Sequence, residues 1–291
     1  MRKSVFISLL KESFNQWRHH KISNLAASLS FYMTFALGPV LIICIAVAGL
    51  LIGKDLAQQQ VFSEIDLAFG HDTADLIKNI IISADKPFHG IVATLTGIAV
   101  LLFSAGGVFS QLQDGIDTIW EVQPKANRTI IDIIHDRFFS FVMILGVAFL
   151  LLVSLVINTI IISLSQYLNE IIFSGTYIWT FVNLVISIGV ITILFALIFK
   201  ILPDAVIAWN DVWLGAFVTS ILFNVGKLIL EVYLAKANIN SLYGSAGSFV
   251  VILLWIYYSS QILFFGVEFT KVKTLRRKTL KPAENAVRAR G

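Results

Sequence analysis

Six apolar runs, near residues 29–53, 91–110, 138–162, 178–199, 212–234 and 248–269, constrain this chain more than any motif in it. A helix needs roughly 20 predominantly apolar residues to cross a bilayer core of about 30 Å. Barrel strands would instead alternate over about ten residues, and these runs do not. Only 14% of the residues are charged, against about 25% in soluble domains, so a water-soluble core could not be coated. The sequence predicts an all-α, polytopic membrane protein with six transmembrane helices. The first run is too long for a signal-peptide core of about 7–15 residues and reads as a retained anchor.

Lysine and arginine then set the direction. Arg2, Lys3, Lys11, Arg18 and Lys21 precede the first run, and a basic tail over 270–291 comes after the last. The segment 163–177 has neither residue type, and the loop 54–90 is more acidic than basic. With an even number of spans both basic ends share one side, and the positive-inside rule makes it the cytoplasm. The whole chain, 1–291, is read as one integral membrane domain. Residues 1–28 form its N-terminal part, with an amphipathic interfacial helix over 5–22. A short helix near 73–84 is expected in the outer loop, and two short helices split at Pro124 in the inner loop 111–137.

Charge inside an apolar run is costly and seeks protein, water or a partner. In "FNVGKLILEVYL", residues 223–234, Asn224, Lys227 and Glu231 join Ser220 at spacings that put all four on one helical face, expected to turn inward. Two readings stay open: a self-neutralising structural pair, or the lining of a wet cavity that binds or passes a ligand. Asn158 and Asn183 sit in the third and fourth runs, and Gln261 and Glu268 share a face of the sixth with Tyr257. Such residues commonly join membrane helices through hydrogen bonds. The sixth run opens on "SLYGSAGS", 241–248, where a helix N-terminus offers unpaired N–H groups to an anion. Lys227, Lys236, Gly244, Ser245 and Gly247 therefore form a candidate anion or headgroup site, with close packing of small residues as the alternative.

The five histidines show no recognised metal spacing, and nucleotide-binding and hydrolase motifs are missing from the sequence. "DIIHD" at 132–136 is read as solvated loop charge. No catalytic residue, metal or cofactor is expected, and the chain is read as a non-enzyme. Expected partners are membrane lipids, anionic ones included. The basic tail reads as a lipid contact and not a specific nucleic-acid site. The composition is compatible with an oligomer.

Four stretches, "NLAASLSFYMTFALGPVLI" at 24–42, "GIDTIWEV" at 115–122, "LPDAVIAWNDVWLGAFVTSILFNVGKLILEVYL" at 202–234 and "YGSAGSFVVILLWIYYSSQILFFGVEFTKV" at 243–272, resemble the YihY/BrkB family of bacterial inner-membrane proteins. Lys227, Tyr233, Gly244, Gly247, Gly266 and Glu268 match its recurring positions. The resemblance implies a multi-pass protein of the inner membrane that handles envelope lipid or another amphipathic anion, as a transporter or transport accessory. The alternative it leaves is a non-transporting scaffold or serum-resistance factor; a ribonuclease name attached to part of the family makes a remote third.

Overall fold

A computed structural model describes residues 3–69, 71–84, 91–122, 176–205, 207–236 and 247–288. Every regular element among them is helical: α1 (Lys3–His19), α2 (Ile22–Ile52), α3 (Lys54–Phe69), α4 (His71–Ala84), α5 (Ile91–Trp120), α6 (Thr176–Ile201), α7 (Trp209–Lys236) and α8 (Gly247–Arg288). The expected third span, 138–162, lies outside the described residues.

Among these residues three stretches are long and apolar enough to cross a bilayer: Leu184–Ile201, Trp209–Leu230 and Phe249–Arg277. The first part of α2, Ile22–Gly38, is a shorter apolar helix. Side chains on the outside of α7 reveal the solvent for which the fold is built. Phe217, Ile221, Val225, Leu228, Ile229 and Val232 are all exposed, a continuous apolar face that water would penalise and lipid does not.

The long helix α8 is the axis of the bundle. It packs against α1, α2, α4, α5 and α7, while α6 lies against α7. One core joins α2, α5, α6, α7 and α8 through Leu29, Ile116, Phe199, Ala216 and Phe264. A second, at the opposite end, buries the apolar sides of α3 and α4 (Ala57, Ile65, Ile77, Ile81) on Ile45 of α2 and on Ile252 and Ile256 of α8. A third seats α1 on the bundle through Leu9, Val218 and Phe269.

Small residues let these helices approach. A β-carbon on Gly215 would run into Thr270, one on Gly266 into Thr219, and one on Gly115 would come 2.5 Å from the Phe264 ring. These are backbone-to-side-chain seats of the kind that membrane helices use in place of a hydrophobic driving force.

Three expectations about boundaries change. The inner loop does not begin at 111: Gln111–Trp120 continues α5. Its apolar residues Val108, Leu112, Ile116 and Ile119 repeat at helical spacing and are all buried, so the period that builds the span simply carries on. The expected break at Pro124, and the rest of that loop from residue 123 on, lie outside the described residues. The stretch expected as an outer loop holds two helices, α3 as well as the expected α4, joined to α2 through Gly53 at φ 89°. The helix that carries the first apolar run, α2, starts at Ile22, ahead of the run itself, after the chain turns sharply at Lys21 (φ 50°). The amphipathic segment is thus a separate helix that ends at His19.

Candidate functional site

Four ionisable groups from three chain segments converge where α1 meets the bundle. Glu268, on α8, is fully buried. Its Oε2 shares a hydrogen bond of 2.8 Å with Nδ1 of His20, in the two-residue link between α1 and α2. The other ring nitrogen of His20 lies 3.4 Å from Oε1 of Glu121, at the end of α5. Lys271, one turn beyond Glu268 on α8, donates to that same Glu121 oxygen at 2.7 Å. The side chains of His20 and Lys271 are each 8% exposed, whereas that of Glu121 is 69% exposed. The four side chains therefore run from a dry carboxyl to a wet one through an imidazole, with an ammonium alongside.

Local backbone geometry builds this arrangement. Glu121 has φ 55°. Its N–H bonds to the Thr118 carbonyl and the Val122 N–H to the Asp117 carbonyl, which together make a Schellman closure of α5 with glutamate in the left-handed position. Glycine is usual there, since a side chain in that conformation costs roughly 1–2 kcal/mol. The strained turn aims the carboxylate back at Lys271 and His20. Lys21, also left-handed, reverses the chain directly after His20 and holds the imidazole over α8.

Burial explains why the groups pair. An unpaired ion moved from water into the interior costs several kcal/mol even after relaxation. A fully buried carboxyl needs either a proton or a cation, and His20 and Lys271 supply both choices. The Glu121 carboxyl is held below the ordinary carboxylate range, chiefly by its bond to Lys271 and the charge of that ammonium; His20 adds a smaller pull in the same direction.

A second charged knot lies beside the first. Asp211, in the first turn of α7 and 1% exposed, takes Arg277 at 2.9 Å and has Lys273 at 3.6 Å. Thr274 Oγ1 donates to its Oδ2 at 3.2 Å. Lys273 also donates to the Asn210 carbonyl, and Arg276 donates to Ser8 of α1. The basic residues after Glu268 are therefore bundle residues and not a loose tail as far as Arg277. An aspartate at a helix N-terminus adds its own favourable dipole interaction. Among the described residues no group of three or more His, Cys, Asp and Glu side chains is arranged to hold a metal ion.

The remaining candidates are dispersed. Asn224 donates to the Ser220 carbonyl of its own helix, and Ser220 shares a hydrogen bond of 2.8 Å with Thr192 of α6. Lys227, expected on the same inward face, is exposed instead. It stands three residues before the end of the apolar stretch of α7, among the lipid-facing Leu228 and Ile229. That placement suits an ammonium that leans out along its stem toward the headgroup level. It edges a shallow notch between α7 and α8 that Phe223, Leu230, Trp255, Tyr258 and Ser259 complete. Gly226 makes room there for Tyr258, whose ring would meet any β-carbon at that position.

Gln261 donates to the Tyr257 hydroxyl at 2.7 Å, which joins two of the three residues expected on one face of α8. Glu268, the third, turns to His20. Gly247 opens α8 and is buried. Asn158, Gly244 and Ser245 lie outside the described residues, as do the side chains of Asn183, Glu231 and Lys236 within their helices. His20, Glu121, Lys271 and Asp211 do not stand out in the sequence as site residues. One signal could have found them: counting spans places the start of the first, the end of the second, the start of the fifth and the end of the sixth on one side.

Residues 13–290 match the family model described as virulence factor BrkB. The chain belongs to that family. Among its relatives is a protein of Bacillus subtilis (strain 168) named as ribonuclease-like, YfkH, 22% identical over 96% of this chain and 99% of its own length. A UPF0761 membrane protein of Tolumonas auensis is 25% identical over 87% of this chain and 82% of its own. The UPF0761 membrane protein YihY of Salmonella typhimurium is 26% identical over 66% and 63%. No solved structure matches the chain. The BrkB match covers both charged knots, the Lys227 notch and the whole of α8.

Proposed function

We propose that this BrkB-family membrane protein handles an amphipathic anion, an envelope lipid in the first instance, in the bacterial inner membrane, as a transporter or a transport accessory without a catalytic step of its own. The observation that carries the reading is the notch at Lys227. There a cation stands at the boundary of the apolar layer, beside the aromatic wall of Trp255 and Tyr258 and the lipid-facing side chains of α7. An anionic headgroup with an attached acyl chain fits both halves of such a surface: the charge meets the ammonium and the chain lies along Leu228 and Val225. Glycine at 226, which seats Tyr258, is part of the same construction.

In this reading the chain crosses the membrane six times with both ends in the cytoplasm. The charged knots then form the cytoplasmic end, and the notch faces the outer leaflet. Trp209 and Trp213, exposed and 6.3 Å apart at the start of α7, take the place of an interfacial aromatic belt at the cytoplasmic level.

The test is lipid identification by mass spectrometry after gentle purification, with the Lys227→Met protein alongside. The expected result is one anionic lipid enriched with the unmodified protein and lost from the variant. Equal lipid profiles would favour the second reading, a scaffold or envelope-integrity factor. That reading draws on the hydrogen bonds of Asn224, Ser220 and Thr192, which join α6 to α7 as packing alone requires. The ribonuclease-like name of the Bacillus relative prompts a control: purified protein incubated with RNA and divalent metal. Cleavage lost on changing Asp132 and His135, which lie outside the described residues, would overturn both readings.

A further inference from the structure

We propose that Glu268 and His20 form a proton-binding site that loads and unloads through Glu121. The ligand is a proton, and the site lies at the opposite end of the bundle from the Lys227 notch, so the proposal stands apart from the lipid reading.

Charge balance makes the one-proton state the resting one. With one proton shared by Glu268 and His20, the pair is neutral overall, either as acid and imidazole or as carboxylate and imidazolium. Glu121 and Lys271 cancel one another at 2.7 Å. Adding a second proton or removing the first leaves a net charge in a place where Glu268 is fully enclosed, which burial penalises. The two neutral forms differ only by a proton moved across a 2.8 Å contact, so neither needs a new partner.

The groups around the pair support its function as a carrier. Glu268 Oε1 is buried and has no hydrogen-bond partner, so the carboxyl keeps an acceptor open on its inner side. Two turns earlier on the same helix, Gln261 Oε1 and Ser260 Oγ are buried and unpartnered too. Facing the pair are His19, with its ring 5.2 Å from that of His20, and Glu121 and Lys271. Asp211 on α7 is already occupied by Arg277 and Lys273. The α2 helix supplies no Asp, Glu, Lys, Arg or His between Ile22 and Ile52.

Unloading conserves every proton and charge. The Glu268 carboxylic acid gives its proton to His20 Nδ1 as the His20 Nε2 proton passes to Glu121 Oε1. Glu268 is left as a carboxylate and His20 as the other neutral tautomer. While Glu121 holds the proton, the unmatched Lys271 ammonium offsets the new buried charge; Glu121 then releases the proton to water. Loading reverses each transfer. The 3.4 Å separation of His20 from Glu121 must shorten, or a water must bridge it, for the outer transfer. Exposure of Glu121 and its left-handed backbone put the acceptor at the surface, where that is allowed.

The experiment uses the full chain in nanodiscs of phosphatidylcholine and phosphatidylglycerol. Infrared difference spectra report carboxylic acid, and nuclear magnetic resonance of isotope-labelled histidine reports His20, assigned by H20Q, between about pH 5 and 8. One coupled transition is expected, in which the buried acid band and the His20 resonances change together. E268Q should remove the band and displace the His20 transition. E121Q removes a negative charge beside the pair and unmatches Lys271, so it should move the transition to lower pH and slow solvent exchange of the His20 Nε2 proton by roughly a hundredfold, the low end of what a positioned proton-transfer group contributes. Independent titration of the two groups, or a His20 transition unmoved by E268Q, would overturn the proposal. So would unchanged exchange in E121Q. If E268Q does not fold, the coupled transition of the unmodified protein and the E121Q rate decide it. The readout is protonation, so the lipid test and this one can fail separately.

Discussion

The two ends of the bundle solve the same difficulty in opposite ways. At the end where α1 docks, buried ionisable groups are matched: Glu268 with His20, Lys271 with the exposed Glu121, Asp211 with Arg277 and Lys273. At the other, Lys227 is exposed at the rim of an aromatic notch between α7 and α8. Burial makes the first set interdependent, because removal of any one member strands another. An exposed Lys227 keeps its ammonium in contact with the surroundings of the bundle, so its replacement leaves no buried charge behind. The difference teaches that intramembrane charge is not one kind of signal. Where it is enclosed it ties distant helices together; where it lies at the rim it leaves the packing to apolar and aromatic neighbours.

The largest effect that sharpens this contrast is expected at Asp211. Asp211→Ala strands the partly buried Lys273 and Arg277, and breaking a buried pair costs about 3–5 kcal/mol. A reversible unfolding measurement in mild detergent checks it, with Lys227→Met predicted to fall within about 0.5 kcal/mol of the unmodified protein. Equal losses for the two substitutions would erase the distinction between the ends.

Glycine substitutions separate the ends next. Gly215→Ala drives a β-carbon into Thr270 in the packed region beside Asp211, and overpacking there should cost about 1–3 kcal/mol. Gly226→Ala meets only the outer part of the Tyr258 ring. That ring can swing away, so the variant should keep nearly full stability yet lose the lipid that the proposed site would retain, as read by mass spectrometry.

Much of the fold was legible in the sequence for a physical reason. Crossing a bilayer demands long apolar helices, so α6, α7 and α8 announce themselves by length and hydropathy. The amphipathic period of Ala74, Ile77 and Ile81 likewise marks α4. Helix ends were harder. Apolar residues stop before the helices do: Gln111–Trp120 and the residues after Glu268 stay helical because one buried stripe outlasts the greasy run. The charged site was hidden for a related reason. Its members are 248 residues apart in the case of His20 and Glu268, and each alone looks like an ordinary loop or tail charge. Only Glu268 stood out, because it lies inside an apolar run. On the Ser220–Asn224–Lys227 face only Lys227 is exposed, since a helical stripe says which residues are neighbours and not which way a long side chain leans.

A smaller effect probes the strained turn that presents Glu121. Glu121→Gly should be more stable than Glu121→Ala by about 1 kcal/mol, because only glycine adopts φ 55° without a penalty. Both variants lose the contact to Lys271, so their difference isolates the backbone. Smaller still is the effect of acid on the native chain. The Glu121 carboxyl is held below its usual range in the folded state. The stabilisation by its bond to Lys271 is therefore complete above the ordinary carboxylate pKa and disappears as pH falls through the lowered folded value. Infrared spectra of the Glu121 carboxylate on acidification check this, with E121Q as the reference.

The most direct test of the central claim, that distant chain segments are clamped by a matched charge at the α1 end, is a double-mutant cycle on His20 and Glu268. Unfolding free energies of H20Q, E268Q and the double variant, measured in the same detergent, should give a coupling of about 1.5–3 kcal/mol, the range for a hydrogen bond to a charged group. Strictly additive losses would contradict the account, since two side chains that do not sense one another cannot be the pair that closes this end of the bundle.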